Sequence, residues 1–320
     1  MADNLNYDAA DLRAIESTGR FDANESVFFA RQLEYVKAKT YDIKRVPLNA
    51  MRLMPVSTET PEGATTITYR QYDGVGMAKV IANYANDLPR NDVTGKEFTS
   101  PIRTIGNAYG YNTQEVRSAM FAGVPLNAKK ATQTVRGQEE LVNQLAFAGD
   151  ADHGLPGLLN NTNIPEVTLL ADGTGSSKTF ATKTADKIVR DVNALINKVI
   201  TQSKGVHRVN QVWLPIEQYA LIATTQNSAA SDTTILSFLQ SVHPGVTFEQ
   251  VVELDGAGAG GADRMYALEN SIDNWQLEIP MMARQHAPQA QGLEFVVPVE
   301  SRFGGVIVEY PLSMSFADGI

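Results

Sequence analysis

The stretch "ATTITYRQYDGVGMAKVIANYANDLPRNDVTGKEFTSPIRTIGNAYGY", residues 64–111, limits the possible folds of this chain more than any other. Its first part alternates through Ile67, Tyr69 and Gln71, and its last part is rich in Thr, Ile and Tyr. Two β segments therefore flank an irregular middle punctuated by "DGVG", "DLP" and "VTG". A two-stranded ribbon is marginal in water by itself, so an excursion of this length needs a surface to lie on.

The residues before it make the same demand. "DAADLRAIEST" offers a short amphipathic turn through Leu12 and Ile15, and Asn24 can cap a second helix carrying Val27, Phe28, Leu33 and Val36. Neither helix has an apolar face wide enough to form a core. Ordering about 25 residues of such an arm costs on the order of 25–50 kcal/mol of backbone entropy. Offsetting that by apolar burial takes roughly 1,000–2,000 Å² of surface at ~25 cal/mol per Å². That area must come from elsewhere in the subunit or beyond it.

The pattern then turns helical. "NTQEVRSAMFAG" has Asn112 as a cap with Glu115 at the capping-box spacing, and Gly123 to Pro125 ends or bends the helix. From Asn127 to Ala148 a narrow apolar stripe of Ala128, Ala131, Val135, Val142, Leu145 and Ala146 runs beside Lys129, Lys130, Arg136, Glu139 and Glu140. At 1.5 Å per residue this spine helix is ~33 Å long, and Gly149 is its natural C-cap. "GLPGLLNN", residues 154–161, then sets three leucines in a turn-rich loop.

Beyond the loop, "IPEVTLL" reads as a strand and "LADGTGSSKTFATKT" as a polar connection. "ADKIVRDVNALINKVIT" is amphipathic through Ile188, Val192, Leu195, Ile196 and Val199. Strands at "RVNQVWLP", "VTFEQVVEL" and "RMYALE" and helices at "IEQYALIAT" and "TTILSFLQSV" complete a compact α/β lobe. The last stretch, "GLEFVVPVESRFGGVIVEYPLSMSFADGI", is almost purely β and is expected to return beneath the spine helix.

Composition narrows the function classes. The 320 residues are 43% hydrophobic and 20% charged, which is globular. Zero cysteines exclude thiol catalysis, disulfides and cysteine metal sites. The formal charge of -9 argues against a general phosphate-gripping surface, because nucleic-acid affinity rests on clustered Lys and Arg. No apolar run approaches the roughly 18 residues of a membrane span, and the chain reads as cytosolic when made.

Motifs of chemistry are weak. "GTGSSKT", Gly173 to Thr179, resembles a phosphate loop, but Ser177 precedes Lys178 where glycine is needed, so it reads as a solvent loop. "DGAGAGGAD", Asp255 to Asp263, follows a strand but precedes another strand, and reads as a flexible hairpin tip. "GDADH" offers Asp150, Asp152 and His153, too few ligands at the wrong spacing for a metal loop, and reads as a polar helix exit. His207, His243 and His286 share no spacing, and "KKATQTVR" is a weakly basic helix face. Carboxylate pairs for acid/base chemistry can meet in the folded chain alone, without a sequence motif.

The order of elements, with "GYNTQEVRSAMFAGVPLNAKKATQTVRGQEELVNQLAFAGDADHGLPGLLNN" and the Gly-Gly and Pro pattern of "GGVIVEYPLSMSFADGI", resembles the major capsid proteins of tailed bacteriophages. These share the Hong Kong 97-type fold with encapsulin shells. The resemblance implies an α+β fold: an N-terminal arm (1–58), an extended β loop (59–108), a peripheral domain with the spine helix (109–165), an α/β axial domain (166–285) and a C-terminal β return (286–320). It implies a shell of pentamers and hexamers of this chain enclosing double-stranded DNA without sequence-specific binding. Scaffolding, portal and cement proteins are possible partners, with assembly in the host cytoplasm, residence in the virion and no membrane. No catalytic, cofactor or metal residue is expected. Subunit contacts are expected through Val27, Phe28, Phe29 and Leu33 of the arm and Ile67, Tyr69 and Tyr72 of the excursion. Some members cut away an N-terminal scaffolding region; the short arm here points to separate scaffolding instead. Some members cross-link a Lys to an Asn, and nothing marks Lys79 or Lys96 for that role. Two alternatives stay open: an encapsulin-type shell holding cargo, and a soluble α/β enzyme.

Overall fold

A computed structural model describes residues 44–75, 92–123, 126–228 and 232–320. The chain divides into a unit at Met1–Val46 and a unit at Pro47–Ile320, and the architecture that follows is that of the second. It starts inside the span expected to be arm. Helix α1 (Ala50–Leu53) and strand β1 (Val56–Ser57) put Ala50, Leu53 and Met54 into the core, and β1 pairs parallel with β8 (Trp275–Glu278). An apolar turn this close to a strand gains more from burial than from extension, so residues 47–57 belong to the compact unit and not to an arm ending at 58.

Strands β2 (Thr66–Val75) and β3 (Asp92–Pro101) pair antiparallel in one register from Thr66↔Pro101 to Val75↔Asp92. After Ile102 the chain enters β4 (Arg103–Asn112), which leaves the ribbon and pairs along its whole length with β11 (Glu294–Phe303). The ribbon thus ends at Pro101, and the boundary read at 108/109 falls inside a strand. β9 (Met281–Gln285) and β10 (Gln289–Gln291) complete that sheet on β11.

Helix α2 (Thr113–Ala122) carries the expected capping box, with Asn112 accepting from Glu115 N at 2.7 Å and Gly123 closing it at φ 66°. The spine helix α3 (Leu126–Ala148) lies on β4 and β11, where Gln138 Nε2 donates to Val299 O (2.8 Å) and Asn107 Oδ1 (2.9 Å). The C-terminal return beneath the spine helix is therefore present in β11. The return is not complete, because β13 (Met314–Asp318) goes back to the α/β lobe and pairs with β7 (Arg264–Leu268).

That lobe is a sheet of order β13-β7-β5-β6, with β5 at Gln211–Leu214 and β6 at Thr247–Gln250, against helices α4 (Ala185–Gln202), α5 (Ile216–Thr224) and α6 (Ile235–Val242). All five residues of the α4 stripe, Ile188, Val192, Leu195, Ile196 and Val199, are buried. Two expectations fail here. "IPEVTLL" forms only a single bridge, Glu166↔Phe316, because the edge position it would fill is closed by one hydrogen bond each way (Val167 N to Phe316 O, Phe316 N to Pro165 O). The Asp255–Asp263 loop is no hairpin tip, because β5 stands between β6 and β7; Asp318 and Asp263 accept from its Ala259 and Gly256 amides.

The core has two parts that share a wall. Trp213, Tyr266, Leu268 and Met314 of the lobe sheet face one cluster with Leu145, Phe147, Leu155, Leu158 and strands β8 and β12 (Gly305–Val308). Val212, Leu214, Met265, Ala267 and Ala317 alternate with them toward α4, α5 and α6. Strand β7 is buried throughout for this reason.

The loop after the spine helix is the corner of the first cluster. Gly149 turns out of the helix at φ 69°, and its amide bonds Leu145 O. Gly157 then passes so close that an added Cβ would stand 2.2 Å from Gly149 N and 2.7 Å from Phe147 O. Leu158 N and Leu159 N close on Ala146 O and Phe147 O, driving Leu155 and Leu158 inward while Leu159 packs at the margin. Leu158→Ala is expected to destabilise the unit by about 2–5 kcal/mol in denaturant unfolding. Leu170→Ala, at an exposed leucine, is expected to stay within about 0.5 kcal/mol of the parent.

Candidate assembly surfaces

The ribbon holds its own backbone but buries little. Its cross-strand pairs are those of the register: Thr68 with Thr99 through their hydroxyls (3.0 Å), Tyr69 stacked on Phe98 (5.2 Å, 18°) and Arg70 on Glu97 (2.7 Å). Tyr72 lies over Gly95, whose missing Cβ leaves room 3.1 Å from the ring. Outward of Tyr69 the apolar side chains face solvent, with Tyr72 67% and Val93 63% exposed.

The root of the ribbon is fastened. Ser100 Oγ donates to Gly304 O at 3.1 Å, Ile102 N to Thr65 O, and Ile67 reaches Gly304, where a Cβ would stand 2.8 Å from its Cδ1. Of the residues chosen from sequence as contacts, Ile67 and Tyr69 are half-buried here and Tyr72 is exposed. The structure brings these three onto one strand. Val27, Phe28, Phe29 and Leu33 lie outside the described residues, as does Lys79.

A second surface was not singled out from sequence. None of the residues of α2 is buried, and its C-terminal turn presents Met120 and Phe121 at 79% and 96% exposure. The helix is held at its N-terminus instead. Lys130 Nζ bridges Gly110 O (2.9 Å) and Glu115 Oε2 (3.0 Å), and this hydrogen bond holds the Glu115 carboxyl below its usual range. Asn112→Ala, which removes the cap, is expected to cost about 1 kcal/mol locally. The readout is faster amide exchange in α2 with α4 unchanged.

Beneath the ribbon root lie two carboxylates that sequence reasoning missed. Glu278 ends β8 and accepts from Thr60 Oγ1 at 3.2 Å; Glu309 follows β12 and accepts from Gln276 Nε2 at 3.0 Å. Burial raises both, Glu309 to about 7, with the neighbouring Glu278 charge adding to the rise. The only local sign is a lone Glu in an apolar strand, "WQLEIP" and "VIVEYP".

The glycine-rich and acidic motifs are held by bonds within their own loops. In the Gly173–Thr179 loop, the amides of Gly173, Thr174 and Ser176 bond Ser177 O, Thr182 O and Gly173 O, so they are committed to the loop itself. Asp150 accepts from the amides of Asp152 and His153 and pairs with the His153 ring at 2.6 Å, a helix exit closed by its own side chain. Lys183, fully buried, pairs with buried Asp191 at 2.5 Å, and Arg190 takes the other carboxylate oxygen at 2.7 Å.

A chain with two shared cores, a spine helix over a sheet and a fastened but unburied ribbon has the fold of a phage capsid subunit. The capsid of Myoviridae phage XM1 superposes with a TM-score of 0.77 at 19% identity, over 92% of this chain and 99% of that one. The capsid of the native GTA particle gives 0.63 at 9% identity, over 89% and 94%. A chain of Mycobacterium phage Bobi gives 0.61 at 10%, over 90% and 96%. No curated protein matches. The family model for major capsid protein matches residues 76–320, and the chain belongs to that family. It is thus a major capsid protein with the fold of phage-capsid subunits. Among the described residues no helix is long and apolar enough to cross a membrane.

Proposed function

We propose that copies of this chain close into an icosahedral shell of pentamers and hexamers around double-stranded DNA, with no catalytic step of its own. The observation that carries the reading is the ribbon: two ten-residue strands that, among the described residues, pair with each other and leave the side chains of Tyr72 and Val93 largely exposed. Such a ribbon becomes stable when it lies on a further surface, and a neighbouring subunit supplies one at every position of a shell. Ile67 and Tyr69 anchor the element from within, Tyr72 is the outward contact, and Val27, Phe28, Phe29 and Leu33 of the arm add contacts of the same kind. Met120 and Phe121 of α2 are a second apolar contact of a kind that a solvated monomer gains nothing by exposing.

The domain reading follows with the compact unit starting at 47: an arm before it, the ribbon, a peripheral part built on α3 and the β4–β11 sheet, and an axial part built on the lobe sheet. The charge of -9 suits a container that encloses DNA without gripping it, so that the DNA can later leave. Assembly takes place in the host cytoplasm, with scaffolding, portal and cement proteins as the partners such a shell would use.

The purified chain is expected to form closed particles by electron microscopy, and nucleic acid within them separates a DNA capsid from a cargo shell. A Tyr72→Ser/Val93→Ser variant is expected to unfold within about 0.5 kcal/mol of the parent as a free subunit and yet to give markedly fewer closed particles in sedimentation. Equal particle yield from the variant would overturn the ribbon as an assembly contact.

A further inference from the structure

Strands β8 and β12 pair antiparallel with Gly305↔Glu278, Val306↔Leu277, Ile307↔Gln276 and Val308↔Trp275. Alternation sends Trp275, Leu277, Val306 and Val308 into the core and turns Gln276, Glu278 and Ile307 the other way. Glu309, bonded to Gln276, joins that second face, and the ribbon root is packed over it through Ile67 and Tyr69. Two carboxylates therefore lie between a sheet and the base of a ribbon.

Their surroundings suit an uncharged acid better than an anion. Glu309 Oε2 is buried with no hydrogen-bond partner among the described residues; Oε1 takes the Gln276 amide, and the carboxyl's own backbone amide is a second donor whose downward pull burial outweighs. The charges that act on the pair are acids as well: Glu278 on Glu309, and Glu59 on Glu278. From the ribbon side the facing titratable group is Tyr69, whose hydroxyl is itself held protonated by burial first and by Glu309 second. Ser57 and Thr60 satisfy Glu278 from the β1 side. Beyond Asn274, which accepts from the Glu309 amide, His207 and Glu269 are already paired at 2.7 Å. A buried carboxylate oxygen without a donor, within reach of a second acid's charge, is costly when charged and not when protonated.

We propose that Glu309 and Glu278 form a proton-binding site under the ribbon root, and that the bound proton keeps the root closed on the sheet while its loss opens it. With Glu309 neutral, Ile67 and Tyr69 cover a face on which Glu278, hydrogen-bonded by Ser57 and Thr60, is the remaining acid. Once Glu309 ionises, its unpartnered Oε2 needs water, and lifting the root brings water to it. The sign of the pH dependence follows. The Glu309 carboxyl is raised from 4.5 in the free chain to about 7 in the fold. Its contribution to stability is complete below about 4.5 and is lost as pH rises through about 7. The site goes beyond the coat-protein reading and does not rest on it, since it belongs to a single folded chain.

The full-length protein labelled with ¹³C at the glutamate side-chain carboxyl tests it by NMR. One glutamate is expected to titrate with a midpoint near 7, and its signal should be missing in E309Q. In E278Q the midpoint should move down, because a like charge is gone. Amide exchange of β2 and β3 supplies the second readout. Between pH ~6 and ~8 the ionised fraction rises roughly tenfold, and root opening beyond the intrinsic exchange rate should rise by about the same factor in the parent and stay flat in E309Q. If every glutamate titrates with a midpoint below pH ~5.5, or if ribbon exchange has the same pH dependence in E309Q, the proposal is wrong. Should E309Q fail to fold, the parent titration and E278Q decide alone, and neither depends on whether shells form.

Discussion

Burial of one sheet on both of its faces holds this subunit together. In the β13-β7-β5-β6 sheet, Trp213 and Tyr266 point to the spine-helix side and Val212, Met265 and Ala267 to the lobe helices. Trp213 meets Trp275 edge to face at 5.9 Å and 66°, which ties this sheet to the smaller β1-β8-β12 sheet. The edge is clamped as well: Arg264 pairs with Asp318 at 2.5 Å, stacks 4.1 Å over Phe316 and donates to Leu159 O in the corner loop. Parts that would otherwise be separate domains share a wall, so neither can loosen without exposing the other.

That rigidity is what makes the remaining surfaces usable. The ribbon and α2 keep every local rule of their class, with cross-strand pairs in register and a complete capping box, and still bury almost nothing. Their backbones are satisfied by themselves and their apolar side chains are not. In a coat subunit this division has a physical logic, because contacts that must form and shift between copies are better placed on elements whose loss from the core costs the fold little. The Glu278–Glu309 pair sits at the seam between these regimes, at the point where a rigid sheet hands the chain to a ribbon.

Local pattern reached far into this fold. The five buried positions of α4, the cap at Asn112, the length of α3 and the turn of "GLPGLLNN" were legible because each depends on residues within a few turns of one another. The ribbon was legible from alternation through Ile67 and Tyr69. Failures cluster where a distant strand decided the outcome. "IPEVTLL" has strand composition but gains one bridge, the glycine-rich loop is no hairpin because β5 intervenes, and residues 47–57 join the core because β8 accepts them.

The sequence by itself determined the class of the chain: a cysteine-free, acidic α+β subunit with a spine helix and extended parts too thin to stand alone. Only the tertiary structure decided which side chains share a face, that β13 returns to the lobe and not to the spine, that Lys183 and Asp191 meet in the interior, and that Glu278 and Glu309 lie under the ribbon root. Periodicity is written along the chain within a few residues, whereas the partners of a buried polar group stand anywhere from 8 positions away, as for Lys183 and Asp191, to 218, as for Thr60 and Glu278, and no local pattern encodes that distance.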